Sequence, residues 1–388
     1  MGQGQEERRK AIQRHLEGEA PRAIYQSMGR SKHWFYKWLI RYRSNTADWY
    51  VEKPRRRLHF PDRTSGEIEK AVKMVRLELY NQDLFCGSQA ILGELEELGI
   101  RSLPSLRTID RILSRNALTH RRIGRYKSKG RLYPKLVGHA LNEVHQADWV
   151  GPLYLLGPIR CYSLNAVDLA TGRCGVQPSM SRNGQGVFDA YWRIWRRLGI
   201  PQNLQVDNTM GFFGSPTHPR GMGPLIRLCL QQGVEPWFIP MREPWRNGVV
   251  EKFNDHHQQK FWDKVNMTSE NVLFEESLKF ENKHNSRYRY SKLGGRTPLQ
   301  AMESLGEKPR FPREADPPRH PLVKPTHGKY HVVRLIRSDG RLNLFGEMFK
   351  VPQNLKYEYV VGTVNVRKQK LELFHDDLKV EEYDYKLR

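Results

Sequence analysis

Apolar and polar positions follow two different periods along this chain, and the period changes near residue 140. Before that point the spacing is helical. Ala11, Ile12 and Leu16 share one face of a first helix, and Ile24, Tyr25 and Met28 mark a second, with Pro21 in its first turn. Gly29-Arg30-Ser31 turns the chain, and Ser31 caps a third helix over 32–43, with Trp34, Phe35, Trp38 and Leu39 on its inner side. A second helical stretch covers 67–79, 88–98 (ended by Gly99) and the segment from Pro104-Ser105 to Leu113.

From about residue 140 the pattern becomes strand-like. Runs at 145–149, 162–168 and 174–180 predict an antiparallel meander. A helix over 186–198, a strand over 204–206, a helix over 225–231, a strand over 234–239 and a long helix from Val249 to about Val265 come next. The order βββ-α-β-α-β-α predicts an α/β core with mixed strands. Residues 269–303 read as polar helix, and 308–327, rich in proline and charge, as a linker. From His331 alternation returns, with Ser338-Asp339-Gly340 as a hairpin turn, and predicts a small barrel of about five strands.

The fold class expected is therefore multidomain α/β. Its parts are a helix-turn-helix domain over 1–50, a basic linker over 51–63, a second helix-turn-helix-like domain over 64–120, a basic connector over 121–139, the catalytic-type α/β core over 140–305, a linker over 306–327 and a small β-barrel over 328–388.

Charge narrows the partner. Sixty-five Lys and Arg against 42 Asp and Glu leave a net +23, spread over folded-looking segments, which points to a polyanion such as nucleic acid. The residues best placed for DNA are Lys32, His33, Lys37 and Arg41 on the third helix, Arg55, Arg56 and Arg57 in the linker, and Arg107 and Arg111 in the second helical unit. Each group also has a plainer reading, as the solvated face of a helical bundle or a charged spacer. Four cysteines without a CxxC pair argue against a zinc module and suggest buried thiols in a reducing cytosol. No apolar run approaches the length of a membrane span, so a cytoplasmic protein is expected.

Three acids stand at places suited to chemistry. Asp148 ends a strand-like run, Asp207 ends another, and Glu251 lies in the first turn of a helix behind Pro244-Trp245-Arg246. Gly248 permits an unusual backbone angle just before that helix. Two hard divalent cations about 4 Å apart, held by such carboxylates, would serve phosphoryl transfer. Singly, each acid reads as a turn, a strand-end cap or a helix-dipole partner; jointly, in this order and in so basic a chain, they read as one site. Asp168, ending the second strand, and Asp255, one turn beyond Glu251, are near rivals; Asp168 could face the site, and Asp255 reads as a supporting or solvated side chain. Asn208 and Asn247 suit positioning, while Trp149 and Trp245 suit either base stacking or core packing.

Gln146-Ala147-Asp148-Trp149, Val206-Asp207-Asn208 and Asn247-Gly248-Val249-Val250-Glu251-Lys252-Phe253-Asn254 resemble the three signatures of the DDE transposase and retroviral-integrase superfamily, and more narrowly bacterial insertion-sequence transposases. The resemblance covers roughly 140–305. It implies an RNase H-like core, with Asp148, Asp207 and Glu251 as both catalytic residues and ligands of Mg²⁺ or Mn²⁺, two ions per site. It also implies cleavage and strand transfer on double-stranded DNA (element ends and target), a homo-oligomer on that DNA, and a place at the bacterial nucleoid. One departure is the spacing from Asp207 to Glu251, 43 intervening residues, longer than the family's usual one, with the surplus at 214–223. The rival readings are a transposase-derived regulator with a degenerate core, which the three intact acids disfavour, and an RNase H-like nuclease, which would need neither DNA-reading domains nor a barrel.

Overall fold

The computed structural model describes residues 3–44, 46–52, 64–119, 133–214 and 220–388, in two compact units that divide at residue 63. In the first unit α1 (Gln3–Leu16), α2 (Pro21–Ser27) and α3 (Lys32–Arg43) enclose Ala11, Ile12, Ile24, Phe35, Trp38 and Leu39. The Ser31 hydroxyl accepts the Trp34 N–H at 3.1 Å, the expected cap. Leu16 does not join this core: as the last residue of α1 it is 61% exposed.

The second unit begins with α4 (Gly66–Asn81), α5 (Ser88–Glu97) and α6 (Leu106–Arg115). Their shared core includes Tyr288, far along the chain, whose hydroxyl also donates to the Asp83 carbonyl at 2.9 Å. Arg289 reaches back to Glu94 at 3.1 Å and Glu97 at 2.5 Å. These three helices are therefore packed against the α/β part of the chain.

The α/β part is built on one large mixed sheet. In chain order come β1 (Val144–Tyr154), β2 (Arg160–Asp168), β3 (Cys174–Ser179), α7 (Gly184–Leu198), β4 (Asn203–Val206), α8 (Met210–Phe213), α9 (Pro224–Gln231), β5 (Glu235–Phe238) and α10 (Gly248–His257). Then come α11 (Glu270–Arg287), α12 (Pro298–Leu305), β6 (Lys329–Leu335), β7 (Arg341–Leu344), β8 (Glu347–Lys350), β9 (Tyr359–Asn365), β10 (Lys370–His375) and β11 (Leu378–Asp384). Nine strands lie in the order β11-β10-β9-β6-β5-β4-β1-β2-β3. β1, β2 and β3 are antiparallel, and β4, β5 and β6 run parallel to β1. Three antiparallel strands succeeded by parallel ones is the arrangement expected of an RNase H-like core.

Alternation along β2 serves two cores. Leu164 and Ala166 pack with α7 and α9, whereas Cys161 and Val167 pack with Val250, Phe253 and Phe280 of α10 and α11. Cys161, Cys174 and Cys229 are buried as expected, while Cys86 is half-buried.

The C-terminal region departs from the expected separate barrel. β6 pairs in parallel with β5, Trp237 opposite His331 and Phe238 opposite Val332, so four of its strands extend the core sheet. An unpaired β5 edge would leave main-chain donors and acceptors bare, and β6 covers it. Ser338-Asp339-Gly340 is not a hairpin turn either, because β7 pairs with β8 and not with β6. The β7–β8 tip instead carries Phe345, stacked on Phe213 with ring centroids 4.4 Å apart and edge-on to Phe238 at 5.1 Å. The apolar cluster is continuous from Ala147 to Tyr385. No helix among the described residues is long and apolar enough to cross a membrane.

A chain ending before residue 328 is therefore expected to lose cooperative thermal unfolding, because the truncation opens the β5 edge and strips one wall of the core. Differential scanning calorimetry checks this; a sharp transition retained by the truncated chain would mean the C-terminal strands are an independent domain after all. Phe345→Ala in the full chain is expected to cost about 3–5 kcal/mol in denaturant unfolding.

Candidate active site

The site begins with strand register. β1 and β4 pair with Gln146 opposite Gln205. Two residues further on stand Asp148 and Asp207, level with each other and, by the period of two, on the side of the sheet that the glutamines face. That side is where α10 sits. The Gln146 carboxamide oxygen accepts the N–H groups of Val249 at 3.0 Å and Val250 at 3.2 Å. It thereby satisfies donors that a helix start leaves unpaired. Gln205 Nε2 donates to the Arg246 carbonyl at 2.9 Å, and Asn247 Nδ2 to the Ala147 carbonyl at 3.0 Å. Both glutamines and Asn247 thus fasten the first turn of α10 to the strand ends.

Gly248 has no unusual angle. Its φ of −62° is ordinarily helical, and nothing lies within 4 Å of a Cβ built there. The turn is made by the short 3₁₀ segment Pro244–Asn247.

One turn into α10, Asn254 Nδ2 donates to Asp148 Oδ2 at 3.0 Å. Asn254 is oriented by Asn165, whose Nδ2 reaches Asn254 Oδ1 at 2.8 Å, and Asn165 by the Ser163 hydroxyl at 2.8 Å. Asp207 accepts the Thr209 N–H at 3.1 Å and hydroxyl at 2.8 Å. Its neighbour Asn208 donates to the Ile239 carbonyl at 2.6 Å and accepts from Arg334 at 2.7 Å. Arg334 comes from β6, is 5% exposed, and donates further to the carbonyls of Ile239, Val333 and Asn343 at 2.9–3.0 Å. Burial without a carboxylate partner lowers its pKa to about 9. The strand that replaces the expected barrel wall therefore holds the loop bearing Asp207.

Electrostatics tie the acids together. Burial, then the charge of Asp207 and to a smaller degree that of Glu251, push Asp148 up to about 7. Glu251 is half-buried and raised by its own burial and by Asp255. Among the described residues no three His, Cys, Asp or Glu side chains form a group tight enough to hold a metal ion. The charges of Asp207 and Glu251 both act on Asp148, but the three acids do not form a closed cluster. The donors present suit a hard cation: they are all carboxylate oxygens, and their mutual repulsion is what a positive ion relieves.

The other candidates sort readily. Asp168 is buried at the far end of β2, opposite His145, where it accepts the Thr171 N–H at 3.1 Å and hydroxyl at 2.5 Å and so caps a turn. Asp255 pairs with Lys252 at 3.3 Å, both exposed. Trp149 lies in the core, whereas Trp245 is 61% exposed. Arg246 is used internally, paired with Glu243 at 2.9 Å and stacked on Tyr133 at 4.0 Å.

Of the expected DNA contacts, Lys32, His33, Arg107 and Arg111 are exposed. Lys37 pairs with Glu52 at 3.1 Å, Arg41 donates to the Val51 carbonyl at 3.1 Å, and both lie against the Trp38 ring. Arg55, Arg56 and Arg57 fall outside the described residues. Sequence reasoning gave no separate role to Gln146, Asn165, Asn254 or Arg334. A carboxamide two residues before one acid and three after another was the available signal for Gln146 and Asn254; nothing local marked Arg334.

No family model matches the chain. Among solved structures, the HTLV-2 integrase catalytic core domain in complex with magnesium, in its trimeric form, is similar at 15% identity over 42% of this chain and 99% of its own, with a TM-score of 0.32. The simian T-cell lymphotropic virus intasome in complex with PP2A regulatory subunit B56 gamma is similar at 13% identity over 81% of this chain and 96% of that chain, with a TM-score of 0.38. Likenesses this faint add no weight to the topology already described.

Asn254→Ala removes the donor that orients Asp148 and is expected to weaken Mn²⁺ binding about 10–100-fold. The melting temperature should stay within a few degrees. Electron paramagnetic resonance of free Mn²⁺ during titration measures the first quantity; unchanged affinity would remove Asn254 from the site.

Proposed function

We propose that this protein is a DNA transposase of the integrase type, which cleaves DNA at element ends and joins the freed 3′-hydroxyl to target DNA. The observation that supports this most is that Asp148 in β1 and Asp207, just past the end of neighbouring β4, each stand two residues beyond the paired Gln146 and Gln205 that meet the start of the helix carrying Glu251. Asp148, Asp207 and Glu251 are the residues that would hold Mg²⁺ or Mn²⁺, whose contribution is to stabilise charge at phosphorus and activate the attacking oxygen. The chain's own part is positional. Gln146, Gln205 and Asn247 fix the helix, Asn254 orients Asp148, and Thr209 and Asn208 steady Asp207. A net charge of +23 supports DNA as substrate, with Lys32 and His33 of α3 as candidate groove contacts and Arg107 and Arg111 as candidate phosphate contacts. Bringing two DNA ends together calls for more than one copy on the DNA.

A second reading, a DNA-bound regulator without catalysis, draws on one observation: Asp148, Asp207 and Glu251 do not form a closed three-acid cluster.

Strand transfer separates the two. Purified protein receives a labelled duplex of its own element end and a plasmid, with Mg²⁺ or Mn²⁺. Joined products are expected from the parent chain and none, a loss of at least about a hundredfold, from Asp148→Asn, Asp207→Ala or Glu251→Gln. DNA binding without cutting or joining by the parent would establish the regulator. Joining undiminished in one variant would remove that acid from the site.

A further inference from the structure

A second charged feature lies beside the acids and is not accounted for by them. Beyond the C-terminal ends of β5 and β6 the surface opens into a cleft of about 360 Å³. Four arginines line it: Arg242 after β5, Arg334 in β6, Arg337 after β6 and Arg341 at the start of β7. Arg242, Arg337 and Arg341 are exposed, and among the described residues no carboxylate lies within ion-pair distance of them. Arg242 sits in the left-handed backbone region, φ +64°, at the head of the turn. Met241 and Met348 at the rim are 55% and 50% exposed.

Two acids also line the cleft, and neither cancels this charge. Glu243 is occupied by Arg246 and by the Tyr359 hydroxyl, at 2.9 and 2.8 Å. Asp339 uses Oδ1 to accept the Arg341 main-chain N–H at 3.3 Å. Arg334 spends its donors on carbonyls and on Asn208, so the three exposed guanidinium groups, against the single carboxylate of Asp339, make a site for an anion. Guanidinium forks match phosphate oxygens with paired N–H donors.

The cleft is joined to the acid site through its floor. Arg334, at the bottom, donates to Asn208 Oδ1 at 2.7 Å, and Asn208 is next to Asp207 in the chain. The cleft lies beyond the C-terminal ends of β5 and β6, and Asp207 just past that of β4, where open α/β sheets collect their ligands. A phosphodiester strand leaving Asp207 would meet Arg334's neighbours Arg337, Arg341 and Arg242 next.

We propose that this arginine cleft binds the phosphodiester backbone of the DNA strand that lies across Asp148 and Asp207, and holds that strand in place on the C-terminal side of the sheet. The inference rests on the transposase reading for the identity of the strand. Its chemistry, a polyanion on unpaired guanidiniums, is tested by binding alone.

The experiment compares the full chain with the triple variant Arg242→Gln, Arg337→Gln, Arg341→Gln. Arg334 is left untouched because it is buried and supports the Asp207 loop. All three substituted side chains are exposed, so the melting temperature is expected to be unchanged. Fluorescence anisotropy with an element-end duplex and with an unrelated duplex, over a range of salt, gives affinity and its salt dependence. The expected result is a slope of log K against log salt shallower by up to about 2.7, since each of the three lost phosphate contacts removes about 0.9. Mn²⁺ binding should be unchanged. A change confined to the end duplex assigns the cleft to element DNA, and a change confined to the unrelated duplex assigns it to target DNA. Equal affinity and equal slope for both duplexes would overturn the proposal. In strand transfer the variant is expected to lose joining at low DNA and regain it at saturating DNA, a shift in KM more than in kcat. If the parent chain joins nothing, the transposase reading fails, and the anisotropy arms still decide whether the cleft binds DNA.

Discussion

The arrangement depends on how a helix start is fastened to two central strands of the sheet. The first N–H groups of α10 have no partner within the helix, and Val250 among them is buried, so something must accept them. Gln146 does, with one carboxamide oxygen shared between Val249 and Val250. A neutral acceptor suits this place. A carboxylate would interact more strongly with the helix dipole, but it would add a third negative charge beside Asp148 and Asp207. Gln205 on the next strand binds the turn before the helix, so two level glutamines set both the height and the rotation of α10. The position of Glu251 and the bond from Asn254 to Asp148 are consequences of that placement.

Much of this was legible in the sequence because it is local. Period and capping residues located α3 to the residue, and Ser31 and Ser105 cap as their side chains suggest. Asp207 just past a strand and Glu251 in a first helical turn stand where the local pattern put them, whereas Asp148, read as ending a strand, lies inside the longer β1. Gly248 misled for an instructive reason. Glycine permits a left-handed angle without requiring one, and the turn was already made by Pro244. β11 was missed because its charged sequence, Leu378–Asp384, carries little apolar alternation and is ordered by pairing with β10, with Lys370 against Glu382 and Asp384.

Non-local pairing was not legible. Strand β6 is separated from β5 by α10, α11, α12 and a proline-rich stretch, so nothing near either strand signals that they lie side by side. Alternation in 328–388 is equally compatible with a closed barrel and with an extension of an existing sheet. The outcome is decided by which edge is available, and β5 offers one that carries apolar Phe238. Burying Phe345 against Phe213 and Phe238 then fixes the hairpin above it, which no reading of the hairpin alone would give.

The same pairing explains why a buried arginine is tolerated in β6. An unpaired guanidinium in an apolar interior is costly, and Arg334 offsets that cost with donors spent on main-chain carbonyls and on Asn208. The alternative, an apolar residue of similar volume, would pack as well and could be more stable. It would leave the Ile239 carbonyl and Asn208 without their shared donor, and the Asp207 loop without its tie to the sheet.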